Sequence, residues 1–220
     1  MFIRNITTLA ASVALTFSLG ACASVSVKDV TKGQQKQKLA RPSQLVVLPF
    51  TIESGAVKEN SIRRHPGQLA AETQVLLEKY LVAELLKLQL PVTTNPPKSA
   101  TPNIWIISGK VTRLAEGNRL LRMSFGLGMG GTKMETSVEV HSGRDKVLGF
   151  STTGGSNAMP GAITTPVPFT GTIAALNGAK DGVTADAART SRMITAVIAD
   201  RMVQEGWLSP DRAKPKMARP

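Results

Sequence analysis

The sequence predicts an α+β domain in which two helices pack on one face of a mixed, largely antiparallel sheet of four to five strands. Three stretches carry that reading. Leu69, Thr73, Leu76, Leu77, Tyr80, Leu81, Leu85 and Leu88 recur at three- and four-residue steps, the period of a helix with one apolar stripe. Met134, Thr136, Val138 and Val140 alternate with Lys133, Glu135, Ser137, Glu139 and His141, the period of a strand with one face in water. Ala187, Ile194, Val197, Ile198 and Met202 mark a second helix, whose Asp186, Arg189, Arg192 and Asp200 are expected to face water.

The chain begins with an export signal. Met1 to Asn5 carry one positive charge, Arg4, and Ile6 to Leu19 are uncharged and mainly apolar. That run is shorter than the ~20 residues a membrane-spanning helix needs. Leu19-Gly20-Ala21-Cys22 then resembles the lipobox of bacterial lipoproteins: Leu, two small residues, and the cysteine that is acylated. Small side chains let a peptidase approach the backbone, and the thiol can form a thioether to diacylglycerol. The chain has one cysteine, so no internal disulfide is available, and this position accounts for it. Each buried methylene of an acyl chain such as palmitate contributes ~0.8 kcal/mol, and two or more chains make a stable anchor. The expectation is a signal peptide over 1–21 and lipidation of Cys22. A plain secretory signal cleaved near Ala21 or Ala23 is the competing reading, and it leaves the cysteine incidental. Ala23 stands where Gram-negative lipoproteins carry an inner-membrane Asp, so the resemblance implies an outer-membrane anchor with the domain facing the periplasm.

Residues 22–43 are read as the lipidated N-terminus and a flexible tether, basic through Lys28, Lys32, Lys36, Lys38 and Arg41, with a reach of ~70 Å if extended. The α+β domain follows over 44–208. Leu45 to Phe50 form a short apolar run, β-branched in the middle and interrupted by Pro49, which suits a buried strand. A polar loop holds Arg63, Arg64, His65 and Pro66. The first helix runs from Gly67 to Leu88, with Pro91, Pro96 and Pro97 beyond it.

Ile104 to Val111 are read as a strand, Glu116-Gly117-Asn118 as a turn, and Leu121, Met123 and Phe125 as the apolar phase of a further strand. After glycines 126–131 comes the alternating strand, and Ser142-Gly143-Arg144-Asp145 turn it back into Val147 to Phe150. Residues 154–182, rich in Gly, Thr, Pro and Ala, read as an irregular surface excursion. Thr184 is expected to cap the second helix, Gly206 to end it and Trp207 to pack back on the core. A basic tail occupies 209–220.

Composition bounds the rest. Of 220 residues, 42% are hydrophobic, enough for one domain with a real core, whereas only 4% are aromatic. The core must therefore rest on Leu, Val, Ile and Ala. The net charge of +12 suits nucleic acid, but an exported protein meets little of it. No nucleic-acid partner is expected; anionic lipid head groups or cell-wall carboxylates are the expected counter-charges, and simple solubility would also account for it.

Catalytic chemistry finds few candidates. Gly126-Leu127-Gly128-Met129-Gly130-Gly131 spell a dinucleotide fingerprint, but a strand follows them where the fingerprint needs a helix. His65 and His141 are the only imidazoles, and with Cys22 committed to lipid no Cys/His nucleophile pair is left. Three nitrogen or sulfur zinc ligands are not available, and no serine sits in a G-x-S-x-G elbow. No catalytic, cofactor-binding or metal residue is therefore assigned, and the chain is expected not to be an enzyme; a carboxylate pair assembled by folding stays open.

Gly109-Lys110-Val111, Glu116-Gly117-Asn118-Arg119 with Arg122, the glycines 126–131 and the strand after them together resemble the bacterial lipoproteins grouped as domain of unknown function 4410. Val47-Leu48-Pro49-Phe50 and the closing Gly206-Trp207 are compatible, and the 154–182 excursion departs from the pattern. The resemblance implies an envelope lipoprotein with an α and β domain and no established activity. The functional expectation is a non-catalytic protein that binds an envelope protein or a cell-wall component, its lipid contact being Cys22. An accessory subunit of an envelope export or secretion assembly is the alternative. A wall or lipid hydrolase is a third reading, and would need clustered acidic side chains.

Overall fold

The structure, a computed structural model, describes residues 24–33, 39–58, 65–99, 101–116, 132–155 and 182–213. Its axis is β5 (Ile104–Ala115), which pairs antiparallel with β6 (Lys133–Ser142). Next, β6 pairs with β7 (Asp145–Gly155), and β7 with β1 (Ser24–Lys32), both antiparallel. On its other side β5 pairs parallel with β2 (Gln44–Val47) and, further along, with β3 (Thr51–Ile52). Finally, β4 (Val92–Thr93) lies parallel to β2. The spatial order is β1-β7-β6-β5-β2-β4, with β3 beside β5.

The α+β class holds, but among the described residues the sheet has seven strands where four to five were expected. Two of the additional strands, β3 and β4, are two residues long and carry no readable period. The third is β1, and it corrects the reading of 22–43 as a flexible tether. Ser24 to Lys32 are hydrogen-bonded along β7 from Ser24↔Gly155 to Lys32↔Leu148. Val27 enters the core at 6% exposure, so this segment is part of the domain. A bulge between Lys28 and Thr31, with Asp29 at φ +54°, cuts the alternation short after Lys28.

Helix α1 (Pro66–Leu86) starts where His65, in extended backbone, accepts the Gly67 N–H on Nδ1 at 3.3 Å, with Pro66 in the first turn, where its missing N–H costs nothing. It ends as Gln89 turns to φ +58°. Leu69, Thr73, Leu77, Leu81 and Leu85 are its buried stripe, as the periodicity requires. Helix α2 (Gly182–Gln204) starts two residues before the expected cap at Thr184. It closes as foreseen: Gly206 takes φ +74°, its N–H reaches Val203 O at 2.9 Å, and the Trp207 N–H reaches Met202 O at 2.9 Å. This paired arrangement satisfies carbonyls the helix end leaves open.

Both helices lie on one face and touch each other. Helix α1 meets β2, β3 and β4, and α2 meets β1, β6 and β7. The Ser191 hydroxyl donates to Leu77 O at 3.4 Å, and Arg192 Nε to Glu84 Oε1 at 3.3 Å across the seam. Trp105, Ile107 and Leu114 of β5, Met134, Val138 and Val140 of β6, and Ile194 and Ile198 of α2 are all fully buried there. Leu45, Val46 and Val47 are fully buried too, as a strand flanked by parallel neighbours requires.

One helix assignment is corrected. Asp186 was expected in water and is fully buried, its carboxylate 2.6 Å from Arg189 Nη1. Helix α2 packs against α1 on one side and against β1, β6 and β7 on another, so more than one side of it is covered. The expected tail over 209–220 opens instead with one helical turn, α3 (Pro210–Ala213), whose Ala213 packs against the core. Within the expected excursion, Gly154 and Gly155 belong to β7 and Gly182 to α2; residues 156–181 lie outside the described residues. The signal peptide, Cys22, the strand at Leu121 to Phe125 and the glycines 126–131 lie outside them as well.

Candidate functional site

The sheet face turned away from the helices carries the polar phase of each strand. Cross-strand pairing sets Lys28 of β1 beside Ser151 of β7, Ser151 beside Ser137 of β6, and Ser137 beside Lys110 of β5. One step along, Ser26 stands beside Thr153, Thr153 beside Glu135, and Glu135 beside Arg113. Lys28, Lys110 and Arg113 are exposed. Lys133 Nζ meets Glu135 Oε1 at 2.7 Å. The result is a surface of hydroxyls and interleaved charges, suited to a polar partner and not to an apolar one.

At the other end of β6 the same face holds a tight cluster. Lys146 Nζ reaches Glu139 Oε1 at 2.6 Å, and His141 Nε2 lies 3.3 Å from Glu139 Oε2. The hydrogen bond from Lys146, and after it the one from His141, holds the Glu139 carboxyl below its usual range against a smaller opposing effect of burial. Glycine at 149, directly opposite Glu139, is what lets Lys146 cross the strand: a Cβ there would sit 2.6 Å from Lys146 Cε and 2.9 Å from Thr31 Oγ1. Nothing in the alternating pattern revealed this cluster, since Lys146 lies across a hairpin turn from its partner.

The two histidines fall on separate elements. His65 caps α1, and His141 stands on the polar phase of β6 at 33% side-chain exposure, half-buried where the strand's alternation puts it in water. Among the described residues no group of three or more His, Cys, Asp or Glu side chains is placed to hold a metal ion. A second feature is a cavity of about 60 Å³ lined by Arg41, Leu88, Gln89, Met202, Trp207 and Leu208 among others. Trp207 meets Trp105 edge-to-face with ring centroids 5.8 Å apart, a favoured aromatic geometry. The volume is far below the ~300 Å³ at which sites for drug-sized ligands begin.

The anchor candidate, Cys22, lies two positions before the first described residue, Ser24, which already pairs with Gly155. The signal that places β1 here was present in the sequence: Ser24, Ser26 and Lys28 alternate with Val25 and Val27. No described helix is long and apolar enough to cross a membrane.

The sequence profile of the family described as "Domain of unknown function (DUF4410)" matches residues 24–170. No curated protein matches the chain. Among solved structures, the PelC dodecamer from Paraburkholderia phytofirmans is similar at 15% identity and a TM-score of 0.36, covering 61% of this chain and 85% of that one. The hypothetical protein CT253 from Chlamydia trachomatis is similar at 10% identity and a TM-score of 0.28, covering 76% of this chain and 98% of that one. Likenesses this distant say nothing of what the chain binds.

Proposed function

We propose, starting from a chain that belongs to the DUF4410 family, that this protein is a lipoprotein of the bacterial envelope, anchored through acylated Cys22 in the outer membrane, with a non-catalytic domain that binds a protein or cell-wall partner in the periplasm. The observation that carries the reading is the Leu19-Gly20-Ala21-Cys22 stretch after a charged start and a short apolar run. The thiol supplies the only chemistry there suited to a lipid thioether. The polar sheet face, with Lys28, Lys110 and Arg113 exposed among serine and threonine hydroxyls, supports a binding role toward a hydrophilic, partly anionic surface.

Intact mass spectrometry of the native protein tests the anchor: the mature chain is expected to start at Cys22 and to carry a diacylglycerol. Flotation with outer-membrane fractions, lost in Cys22→Ser, tests the location. For the domain, cross-linking in intact cells is expected to trap a reproducible envelope partner, and a charge reversal at Lys110 with Arg113 is expected to weaken that product. An unmodified thiol, or the absence of any reproducible partner, removes the corresponding half of the proposal.

A further inference from the structure

The lipoprotein reading has a geometric consequence that the structure makes specific. Two peptide units separate Cys22 from Ser24, so their Cα atoms lie within about 7 Å of each other whatever the conformation between them. Ser24 is the first residue of β1 and is hydrogen-bonded into the sheet opposite Gly155. Gly155 in turn stands opposite Lys133, and Lys133 opposite Ala115. This row, Ser24–Gly155–Lys133–Ala115, crosses four strands at one end of the sheet. The N-terminus of α2 is there too, since a Cβ on Gly182 would run into the side chain of Thr132.

We infer that the acyl chains on Cys22 are joined to the domain by a short leash, and that this end of the sheet rests at the phospholipid surface in a fixed orientation. A lipid group rooted within about 7 Å of Ser24 keeps the β1 end of this row close to the head groups, with Gly155, Lys133 and Ala115 at the same end of the sheet. The opposite end, with the Ser142–Asp145 turn and the Trp105–Trp207 pair, points away from the membrane. Strand β6 runs between the two ends, and its ten residues span about 30 Å at the usual rise. The polar sheet face therefore stands upright on the membrane, open to a partner approaching from the side. The connections from Glu116 to Thr132 and from Gly155 to Gly182 both leave and re-enter at the membrane-side end.

The inference rests on lipidation of Cys22, and the experiment separates the two. With Cys22 acylated, an introduced cysteine is the only free thiol in the chain. The lipidated full chain, carrying Lys133→Cys or Arg144→Cys labelled with a fluorophore, is placed in phosphatidylethanolamine/phosphatidylglycerol vesicles containing head-group nitroxide lipid. Quenching is expected to be several-fold stronger at 133 than at 144. Insertion of a twenty-residue Gly/Ser linker between Ala23 and Ser24, with a root-mean-square reach of about 25 Å, is expected to abolish the difference. Equal or reversed quenching in a protein shown by mass spectrometry to be lipidated overturns the orientation and leaves the lipoprotein reading standing. Persistence of the difference with the linker overturns the leash as its cause. A Cys22 found without lipid overturns both.

Discussion

The ring of Phe50 lies against the bare Cα of Gly109, where β5 passes beneath the residue that directly precedes β3. A Cβ on Gly109 would run into Phe50 Cε1 and lie 2.8 Å from both Phe50 Cζ and the backbone oxygen of Ser137. Phe50 is fully buried, and its carbonyl accepts from Gln74 Nε2 of α1 at 2.7 Å, so the ring is pinned from the helix side as well. Gly109→Ala therefore has nowhere to put its methyl. Overpacking of this kind costs ~1–3 kcal/mol or more, and the urea midpoint is expected to fall accordingly with the m-value unchanged.

Gly149→Ala should behave differently although its Cβ meets atoms just as close. Its neighbours are the far end of Lys146 and the Thr31 hydroxyl, both near the surface. Lys146 can swing away, and what is lost is an exposed ion pair with Glu139, worth ~0–1 kcal/mol. Comparison of the two variants in one denaturation series checks the distinction. A Gly149→Ala as damaging as Gly109→Ala would mean that the Lys146 stem is fixed in place.

Glu139 gives a pH dependence with a definite sign. Its carboxyl is held below the usual carboxylate range by the hydrogen bonds from Lys146 and, after it, His141. A group whose folded pKa is depressed contributes stability above its unfolded pKa and loses it as pH falls through the folded one. The contribution is thus intact at neutral pH and is lost as pH falls below the usual carboxylate range and through the lowered folded pKa. Because the Glu139 side chain is 48% exposed, the effect is small and weakens with salt. NMR titration of the carboxyl is expected to show a lowered midpoint that moves up in Lys146→Ala, and by less in His141→Ala.

Arg189 is expected to matter more than its place on a helix surface suggests. Its guanidinium lies 2.6 Å from an Asp186 carboxylate whose side chain is only 1% exposed. Removal of the cation leaves a buried negative charge short of its counter-ion, a change that typically costs ~3–5 kcal/mol. Arg192 faces Glu84 with 28% and 15% of the two side chains exposed, so Arg192→Ala should cost far less. Thermal denaturation of the two variants near neutral pH orders them. The double variant Asp186→Leu/Arg189→Leu is expected to recover much of the loss, since it removes both charges together.

How much of this was legible follows from the length and regularity of each element. The stripe of α1 and the alternation of β6 repeat over enough residues to stand out, and the structure places Leu69, Leu77, Leu81, Met134, Val138 and Val140 where those periods put them. Strands of two residues, β3 and β4, have no period to read. Asp186 was misplaced because α2 is covered on several sides. Ala185, Ala187, Ala188, Thr190 and Ser191 let neighbours approach closely, and small polar residues blur the boundary between its faces. The anchor motif is local in the chain and readable as such. The Glu139 cluster and the polar sheet face depend on pairings across strands, which the order of residues does not display.

Strand β1 supplies the last test, because the tether reading and the strand reading give opposite results. A free tether contributes nothing to the domain, so a soluble chain starting at Gln44 would be as stable as one starting at Ser24. The structure instead has Val27 in the core and β1 paired along β7 from Ser24↔Gly155 to Lys32↔Leu148. Removal of β1 strips the outer hydrogen-bonding edge from β7, leaves Gly154 and Thr152 without their neighbours Val25 and Val27, and creates an open edge able to pair with another chain. The shortened protein is expected to melt at a lower temperature and to aggregate as its concentration rises. Truncation also changes chain length and solubility, so Val27→Asp in the full domain is the cleaner probe. A carboxylate buried at that position without a partner should destabilise by several kcal/mol, whereas Lys28→Asp, one residue on and exposed, should be close to neutral. Equal stability of the Val27→Asp and Lys28→Asp proteins would return residues 24–32 to solvent.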